Sequence, residues 1–404
     1  MVRSKTIDIL RALAIFLVLG RHTVACPLEV SPFLHRISVL WSRGGWIGVD
    51  LFFVLSGFLV SGLLFREHEK FGCISGKHFL VRRGFKIYPP FWLLIFATIV
   101  EEALFHHHAF QPKAIAFELL FLQNYGTAVW NHTWSLAIEE HFYFFLVLFL
   151  SLLSARCRTP RAFRLVPAAF VVLAILCLSL RIFTAHLAPY NQQTHLFPSH
   201  LRMDSLFAGV FISYLYHFHT NRFLDWARRY RVPLLIVGVL LLGPAFAFPL
   251  ATTSFISTFG LTLFYVGSGC LLIAALVTHL PDNRVAAALA YTGSHSYSIY
   301  LWHLPIAVWV IPHLSRFLGP DQNWFIYFGT YFIGSLSFGI VMSVLTEFPV
   351  LRIRHHLFPS RGRPLTVATR RPNRAMELIA FSRHGLCNNP AEPPARVMPC
   401  TGDS

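Results

Sequence analysis

The sequence predicts an all-α integral membrane protein of about ten transmembrane helices, with both termini in the cytoplasm. Three observations carry that prediction. Of the 404 residues, 55% are hydrophobic and only 13% charged, with a mean hydropathy of +0.56; soluble domains carry about 25% charged residues. Apolar windows of roughly 20 residues, the length that crosses a bilayer, recur along the chain. The basic residues between these windows concentrate on alternate sides.

The windows lie near 7–25, 46–65, 87–105, 136–154, 163–181, 200–218, 232–249, 258–279, 291–311 and 325–346. The first follows Arg3 and Lys5 and has Asp8 near its start. The second enters through Gly44-Gly45-Trp46-Ile47-Gly48 and leaves toward Arg66 and Lys70. The third follows Lys77, Arg82, Arg83 and Lys86, with Pro89 and Pro90 near its start, where proline is best tolerated. The stretch 114–122 is apolar but too short to span, and reads as a re-entrant or interfacial piece. The fourth window ends before Arg156, and the fifth follows Arg158, Arg161 and Arg164. The sixth opens on Arg202 and Asp204, the seventh follows Arg228, Arg229 and Arg231, and Arg284 separates the eighth from the ninth. Pro305 marks a kink in the ninth, and the tenth runs to Glu347 and Arg352.

With the N-terminus inside, 26 of the 34 Lys and Arg fall on the inner side, as the positive-inside rule requires. The net charge of +16 therefore has an orientation role, and no nucleic-acid partner is expected. The 40 phenylalanines suit contact with membrane lipids. Residues 1–358 form one membrane domain and 359–404, polar and rich in Arg and Pro, a disordered cytoplasmic tail. The expected location is the plasma (inner) membrane, as a multi-pass protein. Arg11, Arg21 and His22 interrupt the first window too strongly for a cleaved signal peptide, despite Val24-Ala25-Cys26. The seven cysteines show no C-x-x-C and His106-His107-His108 reads as a loop tract, so no metal site is expected.

Polar residues inside the apolar windows are the functional candidates, since charge in hydrocarbon costs a few kcal/mol. Arg11 and His22 share one helix face, three turns and about 16 Å apart. Sorted by depth, His22, Asp50, Glu139, Glu140, Arg202, Asp204 and His303 belong to an outer level. Arg11, Arg82, Arg83, Lys86 and Glu347 belong to an inner one. Histidines and carboxylates serve acid-base work, and guanidinium and ammonium groups suit phosphates. Acyl-coenzyme A, a phosphorylated nucleotide joined to a thioester by a slim arm, fits such a layout.

The ordered motifs resemble the type 3 integral membrane acyltransferase family, which acylates cell-surface sugars and related acceptors. They are Arg11-x10-His22, Gly48-Val49-Asp50-Leu51-Phe52-Phe53-Val54-Leu55-Ser56-Gly57-Phe58, Arg83-x-x-Lys86-Ile87-Tyr88-Pro89, Trp134-Ser135-Leu136-x-x-Glu139, Tyr297-Ser298-x-Tyr300-Leu301-Trp302-His303 and Glu347-x-Pro349. Lys86 departs from the family's Arg-x-x-Arg and loses a planar two-pronged contact. The resemblance implies transfer of an acyl group, acetyl first, from cytoplasmic acyl-CoA to a carbohydrate or glycolipid hydroxyl outside.

On that reading His22 is the catalytic centre, as general base or as an acylated relay; the sequence does not separate the two. Arg11 and Glu139 assist it, and Arg82, Arg83 and Lys86 bind coenzyme A phosphates. Asp50, Trp134, Arg202 and His303 bind the acceptor. Ser56 lacks the G-x-S-x-G context of a nucleophile and reads as helix packing. The membrane domain would act alone or hand its product to a separate extracytoplasmic protein. The alternative is a polytopic carrier of a lipid-linked sugar or small anion, without acyl chemistry, although no inverted repeat shows in the hydropathy. A non-catalytic membrane scaffold would tolerate alanine at Arg11 and His22.

Overall fold

The computed structural model describes residues 5–105, 111–156, 160–318 and 323–359. His106-His107-His108 and the expected tail, apart from Pro359, lie outside the described residues. Every regular element among the described residues is helical. The chain begins with α1 (Lys5–Arg21), α2 (Pro32–Gly44), α3 (Gly48–Phe71), α4 (Gly76–Phe105), α5 (Pro112–Leu119) and α6 (Trp134–Arg156). It continues through α7 (Val166–Leu187), α8 (Gln192–His195), α9 (Met203–Phe218), α10 (Thr220–Arg229), α11 (Arg231–Leu242) and α12 (Pro244–Ala247). The last elements are α13 (Leu261–Val277), α14 (Arg284–Ser294), α15 (Ser296–Pro305), α16 (Ile311–Leu318), α17 (Trp324–Met342) and α18 (Phe348–Leu357).

Six helical stretches are long and apolar enough to cross a membrane, or seven if the pair Thr220–Arg229 and Arg231–Ala247, bent by 76°, is one span. The other expected windows fall on α1, with 17 residues, on α9, with 16, and on the broken stack of α14, α15 and α16. The break after α15 has a local cause. Pro305 cannot donate a backbone hydrogen bond, and a π-helical turn, Ile306–Val310, follows it.

Glycine lets helices approach closely in lipid, where packing rather than water exclusion drives association. A Cβ on Gly57 of α3 would sit 1.8 Å from the Leu206 carbonyl of α9, and one on Gly209 of α9 would sit 2.1 Å from the Val54 carbonyl of α3. A Cβ on Gly293 would meet the Asp8 carbonyl at 1.7 Å, so α14 lies directly on α1. Helix α1 also packs on α3, α13 and α15.

The first helix is shorter than its apolar window. It stops at Arg21, so His22 is the first residue beyond the helix rather than a member of it. Tertiary donors satisfy the carbonyls of the last turns: Trp41 Nε1 donates to Phe16 at 3.1 Å and the Tyr331 hydroxyl to Leu19 at 3.2 Å. Arg21 Nη1 donates to the Ser42 carbonyl at 3.1 Å, and Ser42 Oγ donates back to the Arg21 carbonyl at 3.3 Å. The helix end, and with it His22, is fixed from the side.

Candidate functional site

A cavity of about 110 Å³, inner on the expected topology, opens between α1, α3, α4, α6 and α15. Arg11, Arg83, Lys86 and Glu139 line it together with Ser56, Tyr143, Tyr297 and Tyr300. Arg11 has Asp8 one turn away at 3.7 Å. The Arg83 guanidinium lies over the Tyr143 ring, 5.1 Å from its centroid. Arg83 and Lys86 are three residues apart and share a helix face. Arg82 is about 100° around from Arg83; it donates to the Phe358 carbonyl and does not line the cavity.

Glu139 was expected at the outer level with His22, and the structure places it in the cavity with the cations. The reason is helical depth: Trp134 begins α6, and five residues carry Glu139 about 7.5 Å further in. Its carboxylate accepts from Ser56 Oγ at 2.9 Å and from the Tyr143 hydroxyl at 2.6 Å. Ser56 therefore orients a carboxylate, beyond the packing role its sequence context suggested. Glu347 accepts from Ser298 and Ser343, both at 3.1 Å, on the π-helical turn Ser343–Glu347.

A second cavity of about 270 Å³, outer on the expected topology, holds His22, Arg21, Asn131, His132, Trp134 and Gln192, walled by Trp46, Leu196 and Phe197. His22 is exposed and Trp134 stacks on Phe197 with ring centroids 4.8 Å apart. His303 is fully buried behind them, its ring 5.1 Å from that of His22 and 5.1 Å from that of His132. His303 Nδ1 meets the Tyr300 carbonyl at 2.6 Å, and His132 Nε2 meets the Leu301 carbonyl at 3.1 Å. The other ring nitrogens, His132 Nδ1 and His303 Nε2, are buried without a partner among the described residues.

His132 escaped the sequence reading, whose fourth apolar window began at residue 136. Its place depends on Glu118 of α5, a carboxylate buried within the protein. Glu118 accepts from the backbone N–H of Val129 at 3.1 Å and of Trp130 at 3.0 Å, and from the Thr133 hydroxyl at 3.0 Å. Trp130 Nε1 donates to Thr98 at 2.8 Å. A histidine two residues before Trp134 was the one available signal.

Val49 and Tyr300 line both cavities and so form the septum between them. The Tyr300 hydroxyl is held by the His132 carbonyl at 2.6 Å and Ser135 Oγ at 2.7 Å. Asp50 and Arg202 line neither cavity; fully buried, they pair with each other at 2.7 Å. Arg202 also lies 5.5 Å from the Phe53 ring centroid and 5.9 Å from that of Trp134. Among the described residues no group of three or more His, Cys, Asp or Glu is placed to hold a metal ion.

The sequence matches the acyltransferase domain family over residues 4–344. It is 27% identical over 338 residues to the peptidoglycan O-acetyltransferase OatA of Listeria monocytogenes, covering 77% of this chain and 50% of that protein. It is 27% identical over 304 residues to the O-acetyltransferase OatA of Staphylococcus aureus, covering 69% and 48%. A putative peptidoglycan O-acetyltransferase of Bacillus subtilis, YrhL, is 26% identical over 309 residues, covering 70% and 47%. The chain thus spans about half the length of the curated relatives it matches. No solved structure matches it.

Proposed function

From the premise that this chain belongs to the type 3 acyltransferase family, we propose that it is a membrane O-acyltransferase. It moves an acyl group, acetyl first, from cytoplasmic acyl-CoA to a hydroxyl of a cell-envelope carbohydrate or lipid-linked sugar on the outer side. The relatives' names, peptidoglycan O-acetyltransferase among them, support a cell-wall glycan as acceptor.

One observation carries this reading: two cavities meet at the Val49–Tyr300 septum, the inner one rich in cations and the outer one holding His22. Arg11, Arg83 and Lys86 would hold the donor's phosphates by charge-assisted hydrogen bonds. The acyl end of its slim arm then reaches the septum. On the outer side His22, as general base, takes the proton of the acceptor hydroxyl while its oxygen attacks the thioester carbonyl. The carbon–sulfur bond breaks, and the thiolate leaves with coenzyme A and is protonated. In the relay variant His22 takes the acyl group first and passes it to the hydroxyl. Trp134 presents an apolar face to the sugar, and His303 buttresses His22.

The buried Asp50–Arg202 pair supports a positioning role, fixing the start of α9 against α3. Ten spans with both termini cytoplasmic, in the plasma membrane, remain the topology that fits the charge distribution. Helices α1 and α9 and the α14–α16 stack supply three further apolar segments to that count.

The test follows radiolabelled acetyl from acetyl-CoA into envelope glycans in membranes containing the wild type or His22→Ala. Label should fall by about 100-fold or more in the variant, the scale of a lost general base. Equal labelling would remove His22 from the chemistry, and no labelling in either would remove acyl transfer.

A further inference from the structure

We propose that the outer cavity selects an acceptor carrying an anionic oxygen group, a carboxylate or a phosphate, and that Arg21 binds it. The proposal deepens the acyl-transfer reading and rests on it for taking this cavity as the acceptor site.

Arg21 ends α1 and lines the outer cavity beside His22. Its Nη1 donates to the Ser42 carbonyl at 3.1 Å, which uses one of five N–H groups. Among the described residues no carboxylate pairs with it, whereas Arg181 and Arg202 are each matched by an aspartate. No Asp or Glu lines the outer cavity at all. A half-buried guanidinium without a counter-charge favours an anion, and its planar fork fits a carboxylate or phosphate through two parallel hydrogen bonds.

The rest of the described wall carries no anionic side chain and offers further donors. The side-chain amides of Asn131 and Gln192 have no hydrogen-bond partner among the described residues. The indole N–H of Trp46 is buried without one. Beside them Trp134 and Phe197, both buried and stacked 14° from parallel, make the apolar part of the wall. Amide and indole donors, a positive charge without a carboxylate partner among the described residues, and an apolar wall together describe a sugar that bears an anion. An acceptor with a free amine would meet Arg21 as a like charge with no carboxylate nearby to offset it.

The anion has two sources, a carboxylate on the sugar itself or a phosphate of a lipid-linked carrier, and three probes separate them. Thermal unfolding of the purified full chain would be followed with glucuronic acid, glucose 1-phosphate and glucose. With the wild type, at least one anionic sugar should protect at about tenfold lower concentration than glucose. That advantage should fall to about twofold or less in Arg21→Gln and persist in Arg21→Lys, which keeps the charge. Unliganded unfolding temperatures check that both variants are folded. Protection by glucuronic acid alone assigns the anion to the sugar; by glucose 1-phosphate alone, to the carrier; either supports the proposal. Equal protection by all three, protection by none, or an anion preference that survives Arg21→Gln overturns it. These measurements need no acyl donor, so the acetyl-transfer assay fails or succeeds separately.

Discussion

Asp50 and Glu139 are carboxylates set into apolar helices, and their neighbours give them opposite tasks. Asp50 is fully buried against Arg202, with Asp50 Oδ2 and Arg202 Nε and Nη1 left without partners among the described residues. Glu139 meets two hydroxyls and faces an open cavity. Removing one member of a buried pair leaves an uncompensated charge. Arg202→Met should therefore lower stability by about 3–5 kcal/mol, while Asp50→Leu combined with Arg202→Met recovers most of it. Denaturation midpoints of the detergent-purified proteins decide this; equal damage in the single and double variants would locate the cost elsewhere. The sequence marked both carboxylates as unusual. It did not distinguish them, because the arginine that occupies Asp50 lies 152 residues away.

At the scale of elements, the contact of α3 with α9 depends on two glycines. Gly57 and Gly209 each face a carbonyl of the opposing helix, and backbone cannot move aside as a flexible side chain does. Gly209→Ala should cost about 1–3 kcal/mol by overpacking. Gly329→Ala, with nothing within 4 Å of the added Cβ, should be neutral or better. Thermal unfolding of the two variants side by side tests the contrast; similar losses would mean that helix propensity rather than contact sets the cost. Helical geometry also sorts the inner cations. Arg83 and Lys86 reach the cavity and Arg82 does not, a distinction that i, i+3 spacing makes available from sequence once α4 is known to begin at Gly76. The apolar window alone started that helix at residue 87, because hydropathy averages away a basic first three turns.

Across the whole molecule, Val49 and Tyr300 line both cavities. On the proposed reaction, the acyl group crosses from one cavity to the other at that point. Val49→Phe, which thickens the wall, should cut acetyl transfer by about tenfold or more, since small misplacements of reacting groups carry costs of that order. Binding of radiolabelled acetyl-CoA by the same variant should stay near wild type; transfer left intact would show that the septum is not on the route. By itself the sequence determined the helical class, the apolar windows and the polar residues inside them, because hydropathy and charge are local properties of the chain. It also separated the cations Arg11, Arg83 and Lys86 from His22, which line different cavities. Only the tertiary structure decided that Glu139 joins the cations, that Arg202 is consumed by Asp50, and that His132 completes a group of three histidines. Those outcomes depend on which helices meet and at what depth. Such contacts are made between residues far apart in sequence, and no local pattern records them.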